Sequence, residues 1–256
     1  MSDPRVHPVA ARFGAVAADY DRGRPSYPDS VLDRLAAVAG LGPGTDVLDL
    51  AAGTGKLTRQ LVAAGASVVA VEPSAGMRER LVAAMPGVRV LDGTAEDIPL
   101  PDASVDLVTV AQAFQWFRTT DALDEIHRVL RPGGWLALMW NAEPTTRWAR
   151  ELWDLRHRLT GYTGDYPGHG WDAVVDADAR FGPRTTTVVN VAVTTTAEQV
   201  LSDSASRSYV ISLDPGARAR VLDAVAELLA RHPGTAGRSE LTYERPCELQ
   251  LCPLLP

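Results

Sequence analysis

The stretch from Val47 to Lys56, Val-Leu-Asp-Leu-Ala-Ala-Gly-Thr-Gly-Lys, limits the possible folds more than any other part of the chain. A short apolar run that passes through small residues into a helix-prone segment reads as a buried strand, a tight turn and a helix. Backbone in such a turn can come close to a nucleotide-like ligand. A second apolar run, residues 67–71, follows and ends at Glu72. An acid at that place can accept hydrogen bonds from ribose hydroxyls. The pair implies a cofactor that contains adenosine.

The spacing within the turn narrows the choice. A dinucleotide fingerprint wants small residues at the first, third and sixth positions, so that a pyrophosphate can sit on the helix N-terminus. Counted from Ala51, the third position is Gly53, but the sixth is Lys56, whose long side chain opposes close helix–strand packing. The small residues fall instead at Ala51, Gly53 and Gly55. A phosphate-binding P-loop is excluded, because no Gly-Lys-Ser/Thr follows a four-residue spacer. A plain strand–helix turn would account for Gly53 and Gly55 alone. Asp49 before the turn and Glu72 after it weigh against that reading.

Strand and helix signals alternate as far as Asn141. Strands are expected at 45–50, 67–71, 88–91, 105–111 and 135–140. Helices are expected at 55–64, 74–85 (with Ser74 as N-cap) and 119–130, the last stopped by Pro132-Gly133-Gly134. This alternation predicts an α/β fold, a doubly wound parallel sheet with helices on both faces. Ligands then bind beyond the C-terminal strand ends, where strand order reverses. After Asn141 the rhythm breaks. Helices are expected at 146–159, 171–179, 197–201 and 215–231, a loop at 161–170, and a strand at 188–196. A last strand or hairpin spans 238–251, and Pro246 favours a sheet edge for it. Residues 142–183 form the natural candidate for a helical cap.

At 256 residues, 46% of them hydrophobic, the chain fits one large domain, or one domain carrying an inserted cap. Its net charge of −7 is unsuited to a nucleic-acid binder, which needs a basic stripe to neutralise phosphates. Cys247 and Cys252 cannot complete a four-ligand zinc site, so no metal is expected. They read as free thiols of a cytoplasmic protein. No membrane-length apolar run occurs, and no membrane partner is expected.

With these elements in order, the chain resembles the class I S-adenosylmethionine-dependent methyltransferases, and most of all a small-molecule branch with ubiquinone/menaquinone-type and trans-aconitate-type members. The segments that carry the resemblance are Asp49–Gly55, Val71–Met77, Gly93–Pro99, Gln112–Phe117, Arg128–Gly134 and, near the N-terminus, Tyr20–Pro28. The resemblance implies a Rossmann-like seven-stranded sheet in a single domain over 1–256, with an N-terminal lid at 1–30 and the cap at 142–183. It implies S-adenosylmethionine as cofactor, S-adenosylhomocysteine as product, and a small-molecule acceptor.

The resemblance also assigns roles. Ala51 and Gly53 backbone would approach the methionine part of the cofactor, and Asp49 would fix the loop or contact its amino group. Glu72 would take the ribose hydroxyls. Met77 would pack on adenine, whose edge Ala95, with Thr94 or Glu96, would read. Ala111 and Gln112 would line the methionine side. Tyr20 and Arg24 would close over the carboxylate, which suits a guanidinium fork. Three positions depart from the family's common pattern. Ala51 stands where Gly is commoner, so no positive φ is expected there. Thr94 stands where Asp is frequent. Gln115 stands where His is frequent, and a glutamine cannot act as a general base.

The sulfonium methyl is already activated, so positioning and exclusion of water supply much of the catalysis. Phe114, Gln115, Trp140 and Asn141 fall just after strand ends and are the substrate-pocket candidates. Trp116, Trp135 and Trp153 are expected in the core. Arg207 and Tyr209 are further candidates for the pocket. His157, Asp165 and His169, in or beside the cap, would be bases for a hydroxyl acceptor, although a surface location is the commoner fate of such residues. The reading is transfer of a methyl group to O or N of a small organic molecule. Its rivals are a repurposed, non-catalytic cofactor-binding protein and an NAD-dependent oxidoreductase, the latter opposed by Lys56.

Overall fold

A computed structural model of the chain describes Pro8 and residues 10–117, 119–162 and 170–255. The parallel half of the sheet is built from runs that are apolar on both faces. These are β1 (Asp46–Leu50), β2 (Ser67–Val71), β3 (Arg89–Leu91), β4 (Val105–Ala111) and β5 (Leu130–Asn141). Helices cover both faces of such a sheet, so its inner strands need no polar side. The strand order is β3-β2-β1-β4-β5-β7-β6, with β6 (Thr185–Thr195) and β7 (Leu241–Pro253) completing seven strands. β7 runs antiparallel to both of its neighbours. Strand order reverses between β1 and β4, so a crevice opens beyond their C-terminal ends.

A 3-10 segment, Ala10–Val16, leads into α1 (Ala17–Gly23) and α2 (Asp29–Ala39). Then come α3 (Lys56–Ala63), α4 (Ala75–Ala84) and α5 (Thr119–Val129). α2 buries Val31 and Leu35, and α3 buries Leu57 and Leu61, in one core that includes Leu107 and Met139. α5 buries Leu123 and Ile126 on a second core with Leu48, Val108 and Leu138. Each of these side chains contributes about 1.5–3 kcal/mol by leaving water.

Beyond β5 lie α6 (Arg147–Thr160), α7 (Trp171–Ala177), α8 (Ala197–Ala205), α9 (Ser208–Ile211) and α10 (Pro215–Arg231). The two helices of the expected cap part company. Trp148 and Leu152 of α6 pack with Val200 of α8 and Val225 and Leu229 of α10. Val175 of α7 joins the core that holds α5. Apolar faces on α8 and α10 take up α6, while α7 packs with α5. The described part of the N-terminal segment is packed closely as well. A Cβ at Gly23 would run into the backbone of Asp203 on α8, so only glycine lets α1 approach this near.

Three expectations about strands need correction. β5 begins at Leu130, five residues before the expected start, because Leu130 pairs with Val105 across an irregularity before Trp135 pairs with Leu107. β6 begins at Thr185 rather than 188, since Thr185, Thr186 and Thr187 pair with Leu251, Gln250 and Leu249 of β7. β7 is interior, not an edge. Pro246 is tolerated because its nitrogen faces the point where β5 has ended. Ala142 N–H still donates to the Pro246 carbonyl at 2.9 Å. The Ala142 carbonyl, denied a proline N–H, accepts instead from Arg245 Nη2 at 2.9 Å.

Among the described residues, no helix is long and apolar enough to cross a membrane. Cys247 and Cys252 are buried free thiols on β7, their pKa pushed up to about 11 and about 12 by burial.

Candidate functional site

A cavity open to solvent lies beyond the C-terminal ends of β1, β2 and β4. Its floor is strained backbone. Ala51, directly after β1, has φ of 56°, and Gln112, directly after β4, has φ of 60°. The expectation that Ala51 needs no positive φ is therefore wrong. The chain turns back after β1 so sharply that Ala52 N–H reaches the Val71 carbonyl at 3.1 Å, and the Ala51 conformation is what that turn requires. Such conformations cost about 1–3 kcal/mol each, and two of them line this one cavity.

Glu72 is the electrostatic centre of the turn. Its Oε2 accepts from Gly53 N–H at 2.9 Å and its Oε1 from Ser74 N–H at 2.8 Å. The carboxylate is 7% exposed and faces the cavity. Burial pushes its pKa up to about 7, although the two backbone donors oppose the rise. Each oxygen keeps a lone pair for another donor. Ser74 holds the N-cap position of α4, but its side chain makes no capping bond.

Asp49 plays a different part. It is 1% exposed and does not line the cavity. Its carboxylate accepts from Thr58 Oγ1 at 2.6 Å and from Thr109 Oγ1 at 3.2 Å, which ties β1 to α3 and β4. Burial raises its pKa to about 6. Of its two suggested roles, the geometry carries the fixing of the loop. Lys56 turns its amine toward Asp21 of α1, at 3.9 Å, rather than into the strand–helix contact.

The remaining residues expected around a cofactor all line the cavity: Tyr20, Arg24, Ala51, Gly53, Glu72, Met77, Thr94, Ala95, Glu96, Ala111 and Gln112. Two buried polar atoms among them, Thr94 Oγ1 and Gln112 Nε2, have no partner. Buried polar groups are rarely left so, and each here has a cavity beside it. The residues therefore fit an adenosine-containing group.

The expected substrate residues separate. Gln115 lines the cavity and is held at both ends: its Nε2 donates to the Gln112 carbonyl at 3.0 Å, and its Oε1 accepts from Trp140 Nε1 at 3.3 Å. Trp140 stands behind it, stacked on Trp171 at 4.6 Å, and does not line the cavity. Phe114 is wholly buried in the core against Phe117 and Trp171, so it is not a pocket wall. The 3-10 turn Phe114–Trp116 points Phe114 inward and brings Gln115 and Trp116 to the cavity. Trp116 is thus wall rather than core. Asn141 lines a smaller adjoining chamber.

Phe13, at the cavity mouth, was not foreseen. It meets Tyr20 edge-on at 5.9 Å and Trp116 at 6.5 Å, so the N-terminal segment bridges the cavity. The available signal was a lone aromatic among the small, aliphatic and charged residues that precede Tyr20. Arg24 is not free to swing, because its Nε lies 3.4 Å from Asp203 and its Nη2 donates to the Ser206 carbonyl at 3.2 Å. Arg207 lines the cavity, whereas Tyr209 does not. From 142–183 no described residue lines it. His157 sits apart from it, packed among Trp153, Tyr162 and Tyr209, with a pKa lowered by burial. Asp165 and His169 lie outside the described residues.

Comparison with known proteins gives the family. The methyltransferase-domain family model matches residues 48–138. An uncharacterized methyltransferase of Mycobacterium bovis is 42% identical over 237 residues, 91% of either chain. A malonyl-[acyl-carrier protein] O-methyltransferase of Methylococcus capsulatus is 38% identical over 167 residues, 62% of this chain and 60% of that one. A solved structure from Anaeromyxobacter dehalogenans, provisionally described as a type II methyltransferase, superposes with a TM-score of 0.70 at 25% identity, over 91% of this chain and 99% of that one.

Proposed function

The chain belongs to the class I S-adenosylmethionine-dependent methyltransferases, and from that premise we propose that it methylates an O or N atom of a small organic molecule. The observation that carries the cofactor's placement is Glu72: a buried carboxylate, held by two backbone N–H groups, facing a cavity beside strained backbone at Ala51. In this reading Glu72 holds the ribose hydroxyls. Met77 and Ala95 flank the adenine, and Thr94 Oγ1 serves its edge. Gln112 and the backbone at Ala51 and Gly53 hold the methionine part, with Tyr20 and Arg24 at its carboxylate.

The cofactor, when bound, supplies an electrophilic methyl on a sulfonium. The protein's own work is orientation. Gln115 is locked by Trp140 and the Gln112 carbonyl, so its amide is a fixed handle for an acceptor. Phe13, Trp116 and Phe117 form an apolar wall that excludes water and suits a cationic centre. Among the described residues, no histidine lines the cavity. That favours an acceptor already nucleophilic near neutral pH, such as a carboxylate or a neutral amine. The O-methyltransferase relative supports an oxygen acceptor.

The test is parallel calorimetric titration with S-adenosylmethionine, S-adenosylhomocysteine and NADH. The reading expects the first two to bind and NADH not to. NADH binding alone would overturn it. Binding of the first two without turnover on any acid or amine acceptor would favour the non-catalytic alternative.

A further inference from the structure

Beside the cavity lies an unusual excess of buried positive charge. Arg24, Arg156 and Arg207 all reach one carboxylate, Asp203, at 3.4, 2.9 and 2.9 Å. That carboxylate is held well below the usual range by the three guanidiniums, against the effect of its burial. Arg245, on β7, is a fourth guanidinium, only 4% exposed. Its Nη2 serves the Ala142 carbonyl, and its Nε is buried without a partner. The charged groups facing it are Arg207 and the already shared Asp203, with the Tyr243 phenol alongside. Among the described residues, the ion pairs of this cluster converge on Asp203, and none includes Arg245. A buried cation without a counter-ion is costly, and such groups are normally paired.

Arg245 faces a small chamber whose lining also includes Tyr20, Arg24, Lys56, Gln112 and Asn141. Among the described residues, no acidic one lines it. Gln112 adds an unpartnered Nε2. Tyr20, Arg24 and Gln112 also line the main cavity, so the chamber opens from its methionine side. Arg24 and Lys56 are held by Asp203 and Asp21, so Arg245 is the cation of this lining left to take an oxyanion, for which a guanidinium fork is well shaped.

We propose that the methyl acceptor carries an anionic group, a carboxylate or a phosphate, which docks on Arg245 in this chamber while the reacting atom reaches into the main cavity. This rests on the methyltransferase reading above and names the substrate class. Arg245 is a binding residue here, and it sets specificity by rejecting neutral isosteres, which would leave its charge unpaired.

The experiment uses protein saturated with S-adenosylhomocysteine, so that the cofactor's own carboxylate is already in place. Acetate, inorganic phosphate and neutral acetamide are then titrated by calorimetry. Acetate or phosphate should bind about tenfold or more tightly than acetamide, as expected for a charge-assisted contact. Arg245→Met should abolish that preference while S-adenosylhomocysteine affinity stays within about threefold of wild type. Arg245→Lys should retain part of it, and serves if the Met variant does not fold. Equal binding of acetate and acetamide by wild type would overturn the proposal. So would a parallel loss of S-adenosylhomocysteine affinity in the variants, which would make the cofactor carboxylate the partner of Arg245. Failure of S-adenosylhomocysteine to bind wild type would defeat the methyltransferase reading and this proposal together; binding without anion preference would defeat this proposal alone.

Discussion

Replacing Glu72 by Gln removes a charge with almost no change of volume, and its surroundings set the cost. Oε2 accepts from Gly53 N–H and Oε1 from Ser74 N–H, at 2.9 and 2.8 Å. A glutamine keeps one of these bonds. At the other, its amide NH2 must confront a backbone N–H at a site 7% exposed. An unmade buried hydrogen bond costs about 1–3 kcal/mol. The ribose hydroxyls lose an ionised acceptor at a similar cost, so S-adenosylhomocysteine affinity should fall roughly 5- to 150-fold by calorimetry. The pH profile makes the test sharper. Burial raises the wild-type carboxyl to about 7, and hydroxyl donors favour its ionised form. Wild-type affinity should fall about tenfold from pH 8 to pH 6, because binding must displace a proton. The Gln variant should show a flat profile. The sign for stability follows. A folded pKa above the ordinary 4.5 means that the free protein loses stability as pH rises from 4.5 toward about 7. Asp49, raised to about 6, acts in the same direction over a lower window. Unchanged affinity in the Gln variant, with a flat wild-type profile, would refute the placement of ribose on Glu72.

Phe114→Ala should cost about 3–5 kcal/mol of stability in urea unfolding, because the ring is core and not pocket wall; a loss below about 1 kcal/mol would contradict that packing. Asp203→Asn strips the shared partner from three guanidiniums and should cost about 3–5 kcal/mol by the same assay; a neutral effect would show the cluster to be well solvated. Gln115→Ala should lower turnover more than S-adenosylhomocysteine affinity, read by comparing kcat with calorimetric Kd; the reverse pattern would place Gln115 at the cofactor.

The parallel half of the sheet was legible because its strands are apolar runs closed by glycines and its helices show a clear apolar stripe. Glu72 could be found from its distance to the first turn, and the loop at 93–97 from its likeness to the family's adenine-binding loop. The antiparallel end was harder. Pro246 argues for an edge only when its missing N–H would break a ladder, and here β5 has already ended at that point. The conformation of Ala51 was hidden for a similar reason: a methyl group tolerates positive φ at a modest cost when the turn demands it. Phe114 and Gln115 are adjacent in sequence, and the 3-10 turn, not the pattern, decides which one faces the cavity. The convergence of Arg24, Arg156, Arg207 and Arg245 spans most of the chain, and no local window could reveal it.

The most direct test of the central claim is a crystal structure of the protein with S-adenosylhomocysteine. It should show the ribose hydroxyls on Glu72, the adenine between Met77 and Ala95 within reach of Thr94 Oγ1, and the thioether directed toward Gln115. An adenosine bound elsewhere, or a ribose that leaves Glu72 untouched, would contradict the proposed site.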